Sequence, residues 1–184
     1  GNLLYDRGAG KIHLYTYKQI FDTAINLADT EWAEYFAGKY SGAIDDENRK
    51  NIVNLEYAKL YCLKNDLKAA RISLAKVDYR DFIHYLDSKM FLLSIEYDCG
   101  NYDEAELIID ATLKYIKNNK ELPSLSGNNS KRFIKYMKKL LKFKDKGAEE
   151  YELNGLVKDF ESDKGFIYAK NWLKEKINEL NPFK

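Results

Sequence analysis

Tyr57-Ala58-Lys59-Leu60-Tyr61-Cys62-Leu63-Lys64-Asn65-Asp66-Leu67-Lys68-Ala69-Ala70 can be laid without a gap over Leu92-Leu93-Ser94-Ile95-Glu96-Tyr97-Asp98-Cys99-Gly100-Asn101-Tyr102-Asp103-Glu104-Ala105, a period of 35 residues. In both copies apolar residues recur at three-and-four spacing, the spacing of one helix face, until Asn65-Asp66 or Gly100-Asn101 interrupts them. Each copy therefore reads as a helix, a tight turn and a second helix. Ala70 and Ala105 fall where the two helices of a hairpin cross, and a methyl group there lets the backbones pack ridge into groove.

Outward from this pair the same spacing continues, and no stretch alternates with period two. Nine helices are expected, over about 14–28, 30–40, 45–63, 67–77, 81–99, 102–118, 130–144, 148–161 and 165–180. Asp45-Asp46-Glu47 supplies a cap and a negative first turn, and Asn181-Pro182 ends the last helix. The segment 119–129, with Pro123 and Gly127, reads as the one long loop.

With its period of 35 the chain resembles the tetratricopeptide repeat family, most closely at Gly100-Asn101-Tyr102-Asp103-Glu104-Ala105, which looks like that family's turn, aromatic and small crossing residue. Asn65 stands where the family has Gly, and the family's first-helix Trp is missing from both copies, so the repeat is divergent. The resemblance implies an all-α, right-handed array of antiparallel hairpins, an α-solenoid. One domain over 1–184 is expected: a degenerate hairpin at 14–42, two repeats at 46–119, then a third hairpin and a capping helix at 130–180. The ending Asn171-Trp172-Leu173-Lys174-Glu175-Lys176-Ile177 is similar to the C-terminal end of longer bacterial repeat proteins with no assigned activity.

Thirty basic and twenty-nine acidic side chains leave a net charge of +1, so no global field draws the chain to nucleic acid, which is not an expected partner. No apolar run reaches the roughly 18 residues of a membrane span. The expected location is cytoplasmic, with Gly1 read as the cut end of a longer protein whose export signal or upstream domain is left open. Locally, residues 131–146 hold eight bases and one acid, and residues 87–110 hold seven acids and one lysine. The two segments are read as complementing one another or water.

Catalytic patterns are absent. His13 and His84 are far apart in sequence with no nucleophile motif near either, and both are read as structural. Gly8-Ala9-Gly10-Lys11 lacks the first glycine and the hydroxyl of a phosphate loop. The acids Asp98, Asp103, Glu104, Glu106 and Asp110 do not have calcium-loop spacing and suit a helix start. No cofactor, metal or enzymatic activity is expected.

The expected function is a protein-binding or assembly scaffold using the concave face of successive first helices. By resemblance that face takes Leu55, Lys59, Cys62 and Leu63 from one repeat and Met90, Ser94, Tyr97 and Asp98 from the next. The alternative is a peptide-sensing or regulatory domain of a longer multidomain protein.

Overall fold

The computed structural model describes residues 11–44, 49–77 and 82–180, without the side chains of 82–84. The readings placed on Gly8-Ala9-Gly10, Asp45-Asp46-Glu47, the His84 side chain and Asn181-Pro182 lie outside the described residues. Among those described there are nine α-helices, one short 3-10 turn and no strand. They are α1 Leu14–Asn26, α2 Thr30–Tyr40, α3 Arg49–Leu63, α4 Leu67–Ala75, α5 Phe82–Asp98, α6 Tyr102–Asn118, α7 Ser124–Lys146, α8 Glu150–Ser162 and α9 Lys170–Glu179. The chain divides into two compact units, 1–88 and 89–184, the division falling inside α5.

The turn predicted from the 35-residue period occurs three times. Ala28, Asn65 and Gly100 all adopt left-handed backbone, at φ 56°, 58° and 74°. At each, that residue's N–H donates three residues back, to Ile25, Cys62 and Tyr97. The next N–H donates five residues back, to Ala24, Tyr61 and Glu96. This closes the orphan carbonyls of the helix end. Asp29 and Asp66 then cap the following helix, accepting from the N–H groups of Trp32 (3.1 Å) and Ala69 (2.9 Å). At the third turn the Asn101 side-chain amide instead donates to the buried Glu96 carboxylate at 2.7 Å.

Five residues after each left-handed position stands an alanine, Ala33, Ala70 or Ala105, with no exposed surface at all. The first hairpin, degenerate in sequence, thus carries the same turn and the same small residue as the other two. Each alanine sits where a larger side chain has nowhere to go. Replacing any of the three with phenylalanine is expected to destabilise the chain by roughly 1 to 3 kcal/mol or more. Urea unfolding followed by circular dichroism reads this, and an unchanged midpoint would remove that alanine from the crossing.

Two boundaries differ from the sequence reading. α7 starts at Ser124, inside the expected loop, because Pro123 ends the turn and Gly127 lets the new helix lie against α6. A Cβ at Gly127 would meet Leu122 at 3.2 Å and Ile116 at 3.3 Å. α9 starts at Lys170, since residues 165–169 form a loop ending in left-handed Ala169 (φ 45°). The α7–α8 junction also departs from the repeat: Gly147 has φ 72° but extended ψ 177°, and α8 opens on a Glu149–Glu152 capping box.

In the unit 1–88 the core joins Tyr17, Phe21 and Ala24 of α1 to Ala33, Phe36 and Ala37 of α2 and Ile52 and Leu60 of α3. Ile12 and Ile44 close it through an isolated parallel bridge. In the unit 89–184 the core is built around α7, whose Phe133, Ile134, Tyr136, Met137, Leu140, Leu141 and Phe143 are all buried.

Candidate interaction surface

The eight residues expected on a binding face separate by burial. Leu55, Met90, Ser94 and Tyr97 are buried, Lys59 and Cys62 are half-buried, and Leu63 and Asp98 are exposed. A buried side chain has no surface to give a partner, so the first four hold helices together. Ser94 donates to the Met90 carbonyl within its own helix at 3.3 Å.

Lys59 is committed to a partly buried charge cluster between α1 and α3. Its ammonium pairs with Asp22 at 2.7 Å and with both oxygens of Glu56 at 3.1 and 3.0 Å. The Glu56 side chain is only 2% exposed. Burial, reinforced by Asp22 and partly offset by Lys59, pushes its carboxyl up to about 7. Burial alone would lower the Lys59 ammonium, but the charges of Glu56 and Asp22 outweigh it and hold it above its ordinary value. Beside them the buried Tyr17 hydroxyl has no hydrogen-bond partner among the described residues, and burial raises it further from ionisation.

Asp98 is engaged within the unit 89–184. It accepts from the Trp172 indole N–H at 2.9 Å and pairs with Lys176 at 3.2 Å, which also reaches Glu179 at 2.9 Å. Tyr97 packs edge-on against Trp172 at 5.5 Å and tilted against Tyr102 at 5.6 Å. These contacts seat α9.

Among the described residues, the ion pairs seen for the basic helix α7 run to carboxylates on and just after α8. Lys139 pairs with Asp159 at 2.8 Å and Lys142 with Glu152 at 2.8 Å. Asp163 accepts from Arg132 at 2.9 Å, from the Tyr136 hydroxyl at 2.8 Å and from the Gly165 N–H at 3.1 Å. Partial burial works to raise the Asp163 carboxyl, but these three donors prevail and hold it below its ordinary value. A Cβ built on Gly165 would land on the Arg132 guanidinium.

In the unit 1–88, Trp32 and Tyr35 are open although the expected face did not include them, whereas Leu63 belongs to that face; Tyr15, Leu27 and Ile72 are exposed as well. Trp32 and Tyr35 on α2 are 42% and 58% exposed, and Leu63 at the end of α3 is 39% exposed. The Trp32 ring stacks on Phe36 at 5.0 Å, which stacks in turn on Tyr17 at 5.1 Å, so the exposed indole is anchored to the core. Lys39 donates to the Tyr35 hydroxyl at 2.7 Å and lies over its ring. A Glu34–Lys64 ion pair ties the end of α3, beside Leu63, to α2. Rigid, half-exposed aromatic rings are the side chains that dominate protein interfaces, because they bury much surface at little entropic cost. Period alone does not tell a stripe's buried centre from its exposed edge.

His13 caps α1, its Nδ1 accepting from the Tyr15 N–H at 3.3 Å. Among the described residues no three His, Cys, Asp or Glu side chains gather as metal ligands, and no helix is long and apolar enough to cross a membrane. Comparison with family models, with curated proteins and with solved structures finds no match to the chain.

Proposed function

We propose that the chain is a non-enzymatic, divergent tetratricopeptide-like module that binds another protein. The observation that carries this reading is the threefold turn, with left-handed residues at 28, 65 and 100, each followed five residues later by a fully buried alanine. A hairpin repeated in that way is a scaffold whose outer surfaces are free to vary while its seams are conserved in geometry, which suits recognition. A right-handed solenoid, a bacterial source and a cytoplasmic setting belong to the same proposal.

The contact residues are Trp32 and Tyr35 of α2 and, at the end of α3, Leu63, a residue of the expected face, all three exposed. The test is affinity capture with the full chain as bait, followed by affinity measurement with the captured partner. Trp32→Ala and Tyr35→Ala, combined, are expected to weaken that partner roughly 30-fold or more, the effect of losing a hot spot. Leu63→Glu is expected to weaken it as well. Equal affinity in all variants, with helicity retained, would refute this surface, and failure to capture any stoichiometric partner would remove the scaffold reading.

A further inference from the structure

Between α6 and α7, within the unit 89–184, lies an open groove of about 350 Å³. One wall carries Lys138, Lys142 and Lys146, each four residues from the next on α7, and the other carries Glu106 and Asp110, four apart on α6. Successive charges in each row therefore rise about 6 Å along their helix. All five side chains belong to exposed residues. Lys142 leans away to Glu152, but among the described residues Lys138, Lys146, Glu106 and Asp110 make no ion pair or hydrogen bond. The two rows thus face a common space with their charges unspent on each other. Asp145 stands near the end of the lysine row, and Ile109 and Leu141, at the bottom of the groove, are almost wholly buried in the core.

From these opposed rows we infer that the groove docks a helical protein segment with acidic side chains along one flank and basic side chains along the other. A helix presents flank residues at the same four-residue pitch as the two walls, so one lying in the groove meets both rows in step. Its acids face Lys138 and Lys146, and its bases face Glu106 and Asp110. A nucleic-acid backbone is disfavoured, because its phosphates would be held against the Glu106–Asp110 wall. The inference rests on the protein-binding reading, but it uses a different surface from Trp32, Tyr35 and Leu63.

The experiment uses the full chain and a fluorescent 15-residue helical peptide with Glu along one flank and Lys along the other, read by fluorescence anisotropy. Saturable binding is expected with a Kd of about tens of micromolar. It is expected to weaken tenfold or more in Lys138→Glu with Lys146→Glu, and again in Glu106→Lys with Asp110→Lys, and polyuridylic acid is expected not to compete. Circular dichroism of each variant checks that these surface changes leave the helices intact. Absence of saturation, loss through one row alone, unchanged binding in both variants, or displacement by polyuridylic acid would each overturn the inference. Because capture through Trp32, Tyr35 and Leu63 is measured separately, its failure is distinguishable from failure at this groove.

Discussion

Replacing Phe133 with alanine is expected to cost roughly 3 to 5 kcal/mol, the range for deleting a fully buried aromatic ring. Phe133 has no exposed surface, and its ring meets Tyr168 edge-on at 5.9 Å and Trp172 at 6.3 Å. Those two contacts attach the loop before α9, and α9 itself, to the centre of α7. The loss should therefore appear first at α9. With Trp32 changed to Phe, Trp172 is the only tryptophan of the two, and its emission reports on that helix alone. In Phe133→Ala its emission is expected to shift to the red at lower urea than the loss of helicity measured by circular dichroism. Coincident transitions near the native midpoint would mean that Phe133 does not hold α9.

The second large effect is a dependence on pH set by Glu56. Its carboxyl titrates near 7 in the folded chain and near 4.3 when unfolded, so between those values the folded state binds the extra proton. Stability is then fullest below about pH 4.3 as far as this group is concerned, and is lost as pH rises through about 7. The difference corresponds to on the order of 3 to 4 kcal/mol, with the opposing pull of Lys59 already included in it. Glu56→Gln keeps an acceptor for Lys59 but cannot ionise. It is expected to flatten the fall in stability between pH 5 and 8 and to leave the variant more stable than the native chain at pH 8. Parallel stability curves for the two proteins across that range would refute the assignment.

The fold was readable because its signals are local. The three-and-four spacing, the breaks at Asn65 and Gly100 and the crossing alanines are all decided within a few residues, and α2 and α6 occupy the expected spans. Where distant groups intervene, the reading fails. Gly127 looks like a loop residue until Ile116 and Leu122 are seen against it. Glu56 and Lys59 are visibly three apart, but nothing local announces that Asp22 joins them. The expected binding face fared unevenly for a related reason. α3 buries Ile52, Leu55, Glu56, Ala58 and Leu60, residues spread around much of its circumference, so its pattern does not mark one stripe as open. Met90 and Tyr97 on α5 are likewise enclosed. Leu63 stays open because it lies at the helix end, past the last crossing.

The position of Arg132 over Gly165 makes the two residues one heritable unit. Gly165 is not among the residues with positive φ, so its lack of a side chain answers to the volume taken by a guanidinium and not to its backbone. A substitution at 165 therefore has no fixed cost: it must displace the guanidinium while Arg132 reaches Asp163 and displaces nothing once residue 132 is short. Among related chains the two positions are expected to covary although they stand thirty-three residues apart.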